Sequence, residues 1–298
     1  MPTSDKRPAD FRMETNSPSP ADPHRFEHEA MATTFALHIH HPDGRYAHQA
    51  AMEAFRLCDH LEEELSRFVE YSSISRINRA SPNEDVPVNA DAYLCLRQAL
   101  RIAEVTGGAF DVGYRSRPKG KAIAYHPPVV LSEESVSASP TRLAPDLDLG
   151  GIGKGYAIDK MAGLLAEWSI DRALIMGGWS TLLAVGTPPG TPGWRVSLPG
   201  ASDKEHYLPA GFSVSASGFE VRGEHVLDPA SGITAAQATR AWSIAPSAAV
   251  SDALSTTALV LPGEALRRLA ETFGECGFVL HKAVSGTCCI GIKLPILG

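Results

Sequence analysis

The stretch LDLGGIGKGYAIDKMAGLL, Leu147 to Leu165, decides how the rest of the chain is read, because it sets four glycines and a lysine just ahead of a run with helical spacing. Gly150, Gly151, Gly153 and Gly155 let a backbone approach a ligand closely, a helix starting there would direct its free N–H groups at that ligand, and Lys154 adds a mobile positive charge. The combination suits a pyrophosphate. Neither standard nucleotide loop is present. A P-loop needs Ser or Thr after its lysine, where Gly155 stands, and its first glycine falls on Asp148; a Rossmann loop counted from Gly151 and Gly153 reaches Tyr156 instead of its third glycine. A glycine-rich turn with a solvated lysine is the plain alternative, and the stretch alone does not choose between them.

Working outward, Ala157, Met161, Leu164, Leu165 and Trp168 give the following helix a buried face. Short β-like runs come next, RALIM, TLLAVG, WRVSL, FSVSA, HVL and TRAWSIA, separated by Gly, Pro, Asp and Ser. A helical pair is expected over 248–261 and 264–273, ahead of a terminal strand GFVLH. Upstream, TTFALHIHH (Thr33 to His41) alternates Phe35, Leu37 and Ile39 with polar or small residues, as a half-buried strand does. His38 and His40 share a face of that strand, His41 does not, and no third metal ligand is spaced with them. Helices are expected from about Ala47 to Phe68 and from Ala92 to Val105, the second stopped by Gly107 and Gly108. Pro118 to Pro145 reads as loop around one short strand, PVVLS. Helices and strands mix without strict βαβ alternation, so the fold class is α+β, with a largely antiparallel sheet and flanking helices.

Composition narrows the function classes. The chain has 298 residues, 44% hydrophobic and 20% charged, with a net charge of −7. No Lys/Arg block offers the phosphate attraction that drives nucleic-acid binding, so nucleic acid is not an expected partner. No apolar run approaches the roughly 20 residues of a membrane span, and the N-terminus has no apolar signal core; a cytoplasmic location is the expectation. Five cysteines without C-x-x-C spacing fit reduced thiols better than a zinc ribbon or a disulfide framework. Residues 1–28, rich in Pro, Ser, Asp and Arg, are expected to be a disordered tail, with one domain over 29–298.

Three further segments carry candidate chemistry. In SDALSTTALVL (Ser251 to Leu261), Val250, Ala253, Leu254, Thr257 and Leu261 would form the buried stripe, which leaves Asp252 and Thr256 together on another face. A carboxylate and a hydroxyl suit a Mg2+ that keeps waters and shares phosphate oxygens; cap chemistry or a solvated surface is the alternative. In GEHVLDPASG (Gly223 to Gly232), His225 sits between rigid flanks near a loop, as a functional or a structural imidazole. GGAFD (Gly107 to Asp111) and SASGFE (Ser215 to Glu220, with Ser217 and Gly218) are small-residue segments that admit a ligand or simply turn.

Taken in order, MATTF, LSRFVEYSSISRIN, GGAFD, LDLGGIGKGYAID, SASG, HVLDPASG and DALST resemble the motifs of the ApbE-like FAD:protein FMN transferases, over about Met31 to His281. The resemblance implies a fold related to the tunnelling-fold type, FAD as substrate, Mg2+ as cofactor, and transfer of FMN to a Ser or Thr hydroxyl of an acceptor flavoprotein with release of AMP. Carried over residue by residue, Asp252 and Thr256 would be side-chain Mg2+ ligands, with the backbone carbonyl of Gly153, where the family usually has alanine, as a third. Met31, Phe68, Ala109, Phe110 and Asp111 would line the flavin and adenosine parts of the site; Gly150, Gly151, Lys154, Asp159, Ser217 and Gly218 would complete it. His225 and Asp252 would carry catalysis. Departures stand beside the match. Trp179 occupies the place of an expected Asp in MGGWS, the segment after Asp111 lacks the usual D-P continuation, and no lipid-modified cysteine lies near the N-terminus. A Mg2+-dependent FAD pyrophosphatase and a flavin-binding protein without catalysis are the other readings of the same residues.

Overall fold

The computed structural model describes residues 22–117, 124–134, 137–199, 204–218, 238–282 and 286–292. Two strands, β1 (His24–Ala30) and β2 (Thr33–Ile39), open the chain as an antiparallel hairpin. They begin an eight-stranded sheet continued by β6 (Ala173–Gly177), β7 (Thr181–Val185), β10 (Ser213–Gly218), β11 (Arg240–Ala245), β12 (Gly277–Lys282) and β13 (Gly286–Gly291), in that spatial order. Every pairing in it is antiparallel. A three-stranded sheet of β3 (Val86–Pro87), β5 (Ser137–Pro140) and β4 (Val129–Ser132), and a hairpin of β8 (Trp194–Ser197) and β9 (Glu205–Leu208), stand apart from it. The expected α+β class with a mainly antiparallel sheet is the class observed.

Both faces of the large sheet are covered, which explains why β6 is buried at every position. Ile175 and Ala173 face the helices; Leu174 and Met176 face the β8–β9 hairpin, whose Trp194, Val196 and Leu208 close the other side with Val214, Trp242 and Ile244. On the helical side lie α1 (Gly44–Leu65), α4 (Gly153–Glu167) and α5 (Ala248–Val260), with α3 (Ala90–Val105) packed behind them. The helix α6 (Gly263–Phe273) packs on β12 and β13. Helix starts follow capping chemistry: the Asp43 side chain accepts from Arg45 and Tyr46 N–H, Asn89 from Ala92, and Ser247 from Val250. The contact between α4 and α5 is the closest of these. A Cβ at Gly155 would lie 2.2 Å from the Ala248 carbonyl oxygen, so this glycine serves helix packing rather than ligand approach.

Several expectations need correction. Residues 24–28 are not part of a disordered tail, because β1 starts at His24. Its polar composition concealed a strand held by a full backbone ladder with β2, and by His28, which stacks on Phe55 at 5.0 Å and pairs with Asp59 at 2.6 Å. GFVLH is not terminal; β13 follows it, and its mostly exposed residues gave no buried period to read. A short helix, α2 (Ser73–Arg79), stands in SSISRIN, capped by Ser72. No helix among the described residues is long and apolar enough to cross a membrane.

Candidate active site

The β1–β2 turn, the end of α1, the loop before Gly113, the glycine loop, the β6–β7 turn, the end of β10 and one side of α5 converge on a cleft of about 580 Å3. That is a small-molecule size. Met31, Phe68, Ala109, Phe110, Asp111, Gly150, Gly151, Gly153, Lys154, Ser217, Gly218, Asp252 and Thr256 all line it. Gly155, singled out with the other loop glycines, does not line it; of the residues carried over on the resemblance, the exceptions are His225, which lies outside the described residues together with the rest of HVLDPASG, and Asp159.

Asp252 is the electrostatic centre of the cleft. It is only 3% exposed, since α5 is buried on nearly all sides and its polar face meets the cleft instead of solvent. Its Oδ2 accepts from Gly155 N–H at 3.2 Å and from Lys154 Nζ at 3.3 Å, and its Oδ1 accepts from Thr181 Oγ1 at 3.4 Å. The N-terminus of α4, expected to point its free N–H groups at a ligand, thus already donates one of them to a carboxylate from α5. Lys154 Nζ also donates to the Gly150 carbonyl at 3.4 Å. Thr256 Oγ1 lies 3.2 Å from Ser217 Oγ.

This donor set fits a hard divalent cation. One carboxylate, one hydroxyl and nearby main-chain oxygens match Mg2+, which retains waters and takes substrate phosphate oxygens; among the described residues no cluster of three His, Cys, Asp or Glu offers a site for a softer or more tightly caged metal. A Cβ added at Gly151 would lie 4.0 Å from Thr256 Oγ1, and one at Gly153 would have the Leu149 side chain at 3.9 Å as its nearest neighbour. Gly153 therefore has room for the alanine of the family pattern.

The cleft walls are set by structural hydrogen bonds. Met31 and Ala32, at φ 50° and 57°, form the two-residue β1–β2 turn, with the Met31 N–H held by Glu62 Oε2 at 2.7 Å. Asp111 lines the cleft, but its carboxylate is engaged by Gly113 N–H at 2.8 Å and the Arg117 guanidinium at 2.7 Å, and burial pushes its pKa up against those contacts. It anchors the loop that presents Ala109 and Phe110. Phe68 is 87% exposed at the mouth, with the Arg67 guanidinium 5.4 Å from its ring centre. Arg67 in turn pairs with Asp146 and, at 3.6 Å, with Asp148, whose other oxygen accepts from Gly150 N–H at 2.9 Å. A line of charges thus holds the glycine loop against the end of α1.

The family model described as ApbE family matches residues 31–280. The chain belongs to the ApbE family. Among curated relatives, an FAD:protein FMN transferase of Escherichia coli is 26% identical over 307 residues, covering 89% of this chain and 87% of the relative. One from Treponema pallidum is 29% identical, covering 72% of each chain. Among solved structures, the flavin transferase ApbE from Vibrio cholerae superposes with a TM-score of 0.74 at 18% identity, covering 92% of this chain and 97% of that one. The apbe protein of Thermotoga maritima gives a TM-score of 0.75 at 22% identity, covering 90% and 97%. These likenesses show that the ApbE fold is the fold found here.

One residue carried over from the ApbE motifs is displaced from the cleft. Asp159 sits on the side of α4 that faces the start of α5, where its carboxylate accepts from Ser247 Oγ at 2.7 Å, Ala248 N–H at 2.7 Å and Ala249 N–H at 3.0 Å. Burial pushes its pKa up, opposed by those three bonds. It is a helix cap, with no share in the cleft lining. Trp179, where the ApbE pattern commonly has Asp, stands exposed in the β6–β7 turn and lines the cleft. Sequence reasoning missed Glu62, Arg67, Asp148 and Thr181. Asp148 stands second in the decisive stretch, in the motif quoted for the resemblance, without a role of its own there; no local signal links Thr181 to Asp252, 71 residues away. His38 is buried, which lowers its pKa to about 4, and the His40 ring lies 5.4 Å from Trp194.

Proposed function

We propose that this chain transfers the FMN moiety of FAD to a Ser or Thr hydroxyl of an acceptor flavoprotein, with Mg2+ as cofactor, releasing AMP. The observation that carries the reading is the convergence of the glycine loop, Lys154, Asp252 and Thr256 in one cleft. The names of the relatives, which are FAD:protein FMN transferases, support it.

The acceptor oxygen forms a bond to the phosphorus that carries FMN, the P–O bond within the pyrophosphate breaks, and AMP leaves with the electron pair. Mg2+ would be held by Asp252, Thr256 and the main-chain carbonyl of Gly153, and would supply neutralisation of the charge that develops on the phosphate oxygens. Lys154 contributes a second positive charge beside the same carboxylate. The pyrophosphate lies along Gly150 to Lys154, where the absence of side chains at Gly150, Gly151 and Gly153 leaves the backbone bare. Phe68, Phe110 and Met31 offer apolar surface to the flavin and adenosine rings. His225, on the resemblance, takes the acceptor proton.

The test incubates purified protein with FAD, Mg2+ and an acceptor domain bearing a flavinylation threonine, and follows AMP by chromatography and covalent FMN by mass spectrometry. Equal amounts of AMP and FMN adduct, both lost in Asp252→Asn, support the proposal. AMP without adduct would indicate hydrolysis in place of transfer, and turnover unaffected by Asp252→Asn would remove the metal assignment.

A further inference from the structure

Thr256 and Ser217 face each other across the junction of α5 and β10, and the direction of the proton between them can be worked out from hydrogen-bond bookkeeping. Each hydroxyl has one proton and two lone pairs. Ser255 Oγ contacts the Asp252 main-chain carbonyl at 2.8 Å, an oxygen that can only accept, so the Ser255 proton is spent there. Ser217 Oγ lies 2.7 Å from Ser255 Oγ, and with the Ser255 proton committed, Ser217 is the donor in that pair. The remaining contact, Ser217 to Thr256 at 3.2 Å, then has Thr256 as donor. Thr256 differs from its neighbour Thr257, whose hydroxyl donates along its own helix to the Ala253 carbonyl at 2.9 Å.

Resting on the metal reading above, we infer that Ser217 is a positioning residue: it draws the Thr256 proton inward, so that the lone pairs of Thr256 Oγ1 face the cleft for a divalent cation. A neutral hydroxyl ligates through a lone pair, and one whose proton pointed at the metal would repel it. The relay runs Thr256 to Ser217 to Ser255 to the Asp252 main-chain carbonyl, which anchors it to the backbone of α5. Thr181, donating to Asp252 Oδ1, holds the carboxylate from the other side.

The test is Mn2+ binding to the metal-free full-length protein, read by electron paramagnetic resonance, for wild type, Ser217→Ala, Ser217→Thr, Ser255→Ala and Asp252→Asn. Ser217→Ala is expected to weaken Mn2+ roughly five- to tenfold, the worth of one hydrogen bond. Ser217→Thr, which keeps the hydroxyl, should restore the metal affinity, a rescue that a general loosening of the cleft would not show. Ser255→Ala, which releases the Ser217 proton toward Thr256, should weaken Mn2+ although Ser217 is intact; it decides the matter if Ser217→Ala does not fold. Mn2+ affinity within twofold of wild type in the alanine variants, with Asp252→Asn deficient, would overturn the relay and leave the metal reading standing. Wild-type affinity in Asp252→Asn would overturn the metal reading and the relay with it.

Discussion

Three glycines on one helix allow the packing account of α4 to be tested by the sign of the response. At Gly155 an added methyl would lie 2.2 Å from the Ala248 carbonyl oxygen, 2.5 Å from its carbon and 2.7 Å from Ala249 Cα. These are backbone atoms that no rotamer change can move, so the two helices must separate by roughly 1 Å to restore ordinary contact. Overpacking of this kind costs about 1–3 kcal/mol, and the rigidity of the obstacle argues for the upper part of that range. Alanine recovers up to about 1 kcal/mol of helix propensity, which leaves Gly155→Ala about 2 kcal/mol less stable and its melting temperature about 4–8 °C lower. At Gly163, exposed on the same helix with nothing within 4 Å, the same change should stabilise by about 0.5–1 kcal/mol. At Gly153, where a Cβ would find only Leu149 at 3.9 Å, it should be close to neutral. Urea denaturation of the three variants reads all of this. Because α4 brings the glycine loop and α5 brings Asp252, Gly155→Ala should also weaken Mg2+-dependent FAD binding. Equal stability for Gly155→Ala and Gly163→Ala would refute the close approach of the helices.

Other changes separate structural from functional roles. Asp159→Ala should cost about 2–3 kcal/mol, since the Ala248 and Ala249 N–H groups lose a charged acceptor, while FAD affinity of the folded protein holds; unchanged stability with lost FAD binding would return Asp159 to the site. Ala32→Gly should stabilise by roughly 0.5–1 kcal/mol, because an L-residue at φ 57° is strained and the second position of such a turn favours glycine; a lower denaturation midpoint would contradict this. For His38, burial lowers the pKa from 6.5 to about 4, so the unfolded chain binds a proton that the folded one refuses between those values. Stability is then full above about pH 6.5 and falls by about 3 kcal/mol as pH drops to about 4. His38→Gln should flatten that acid limb in urea midpoints measured against pH, and an unchanged slope would remove His38 as its source.

The sequence made legible what local periodicity encodes. Five of the six described helices, α1, α3, α4, α5 and α6, were expected within a few residues of their observed bounds, because each carries an apolar face at helical spacing. The strands from β6 to β12 were mostly legible as short apolar runs between turn residues. What escaped was structure supported from a distance. β1 is a polar segment made into a strand by its ladder with β2, and α2 is too short to show a period. At the site, the residue types of the cleft were legible, but their use was not. Asp159 has the chemistry of a ligand contact and serves as a cap, Gly155 has the look of a phosphate glycine and serves helix packing, and Asp252 meets Thr181 only through the folding of β7 beneath α5.

The claim at the centre is that Asp252 and Thr256, set beside the glycine loop, gather the metal and the pyrophosphate in one place. The most direct measurement is the anomalous scattering of Mn2+ in crystals grown with FAD. A single peak at bonding distance from Asp252 and Thr256 Oγ1, touching pyrophosphate oxygens laid along Gly150 to Lys154, is the expected result. A peak elsewhere, or FAD bound with its pyrophosphate away from that loop, would contradict it.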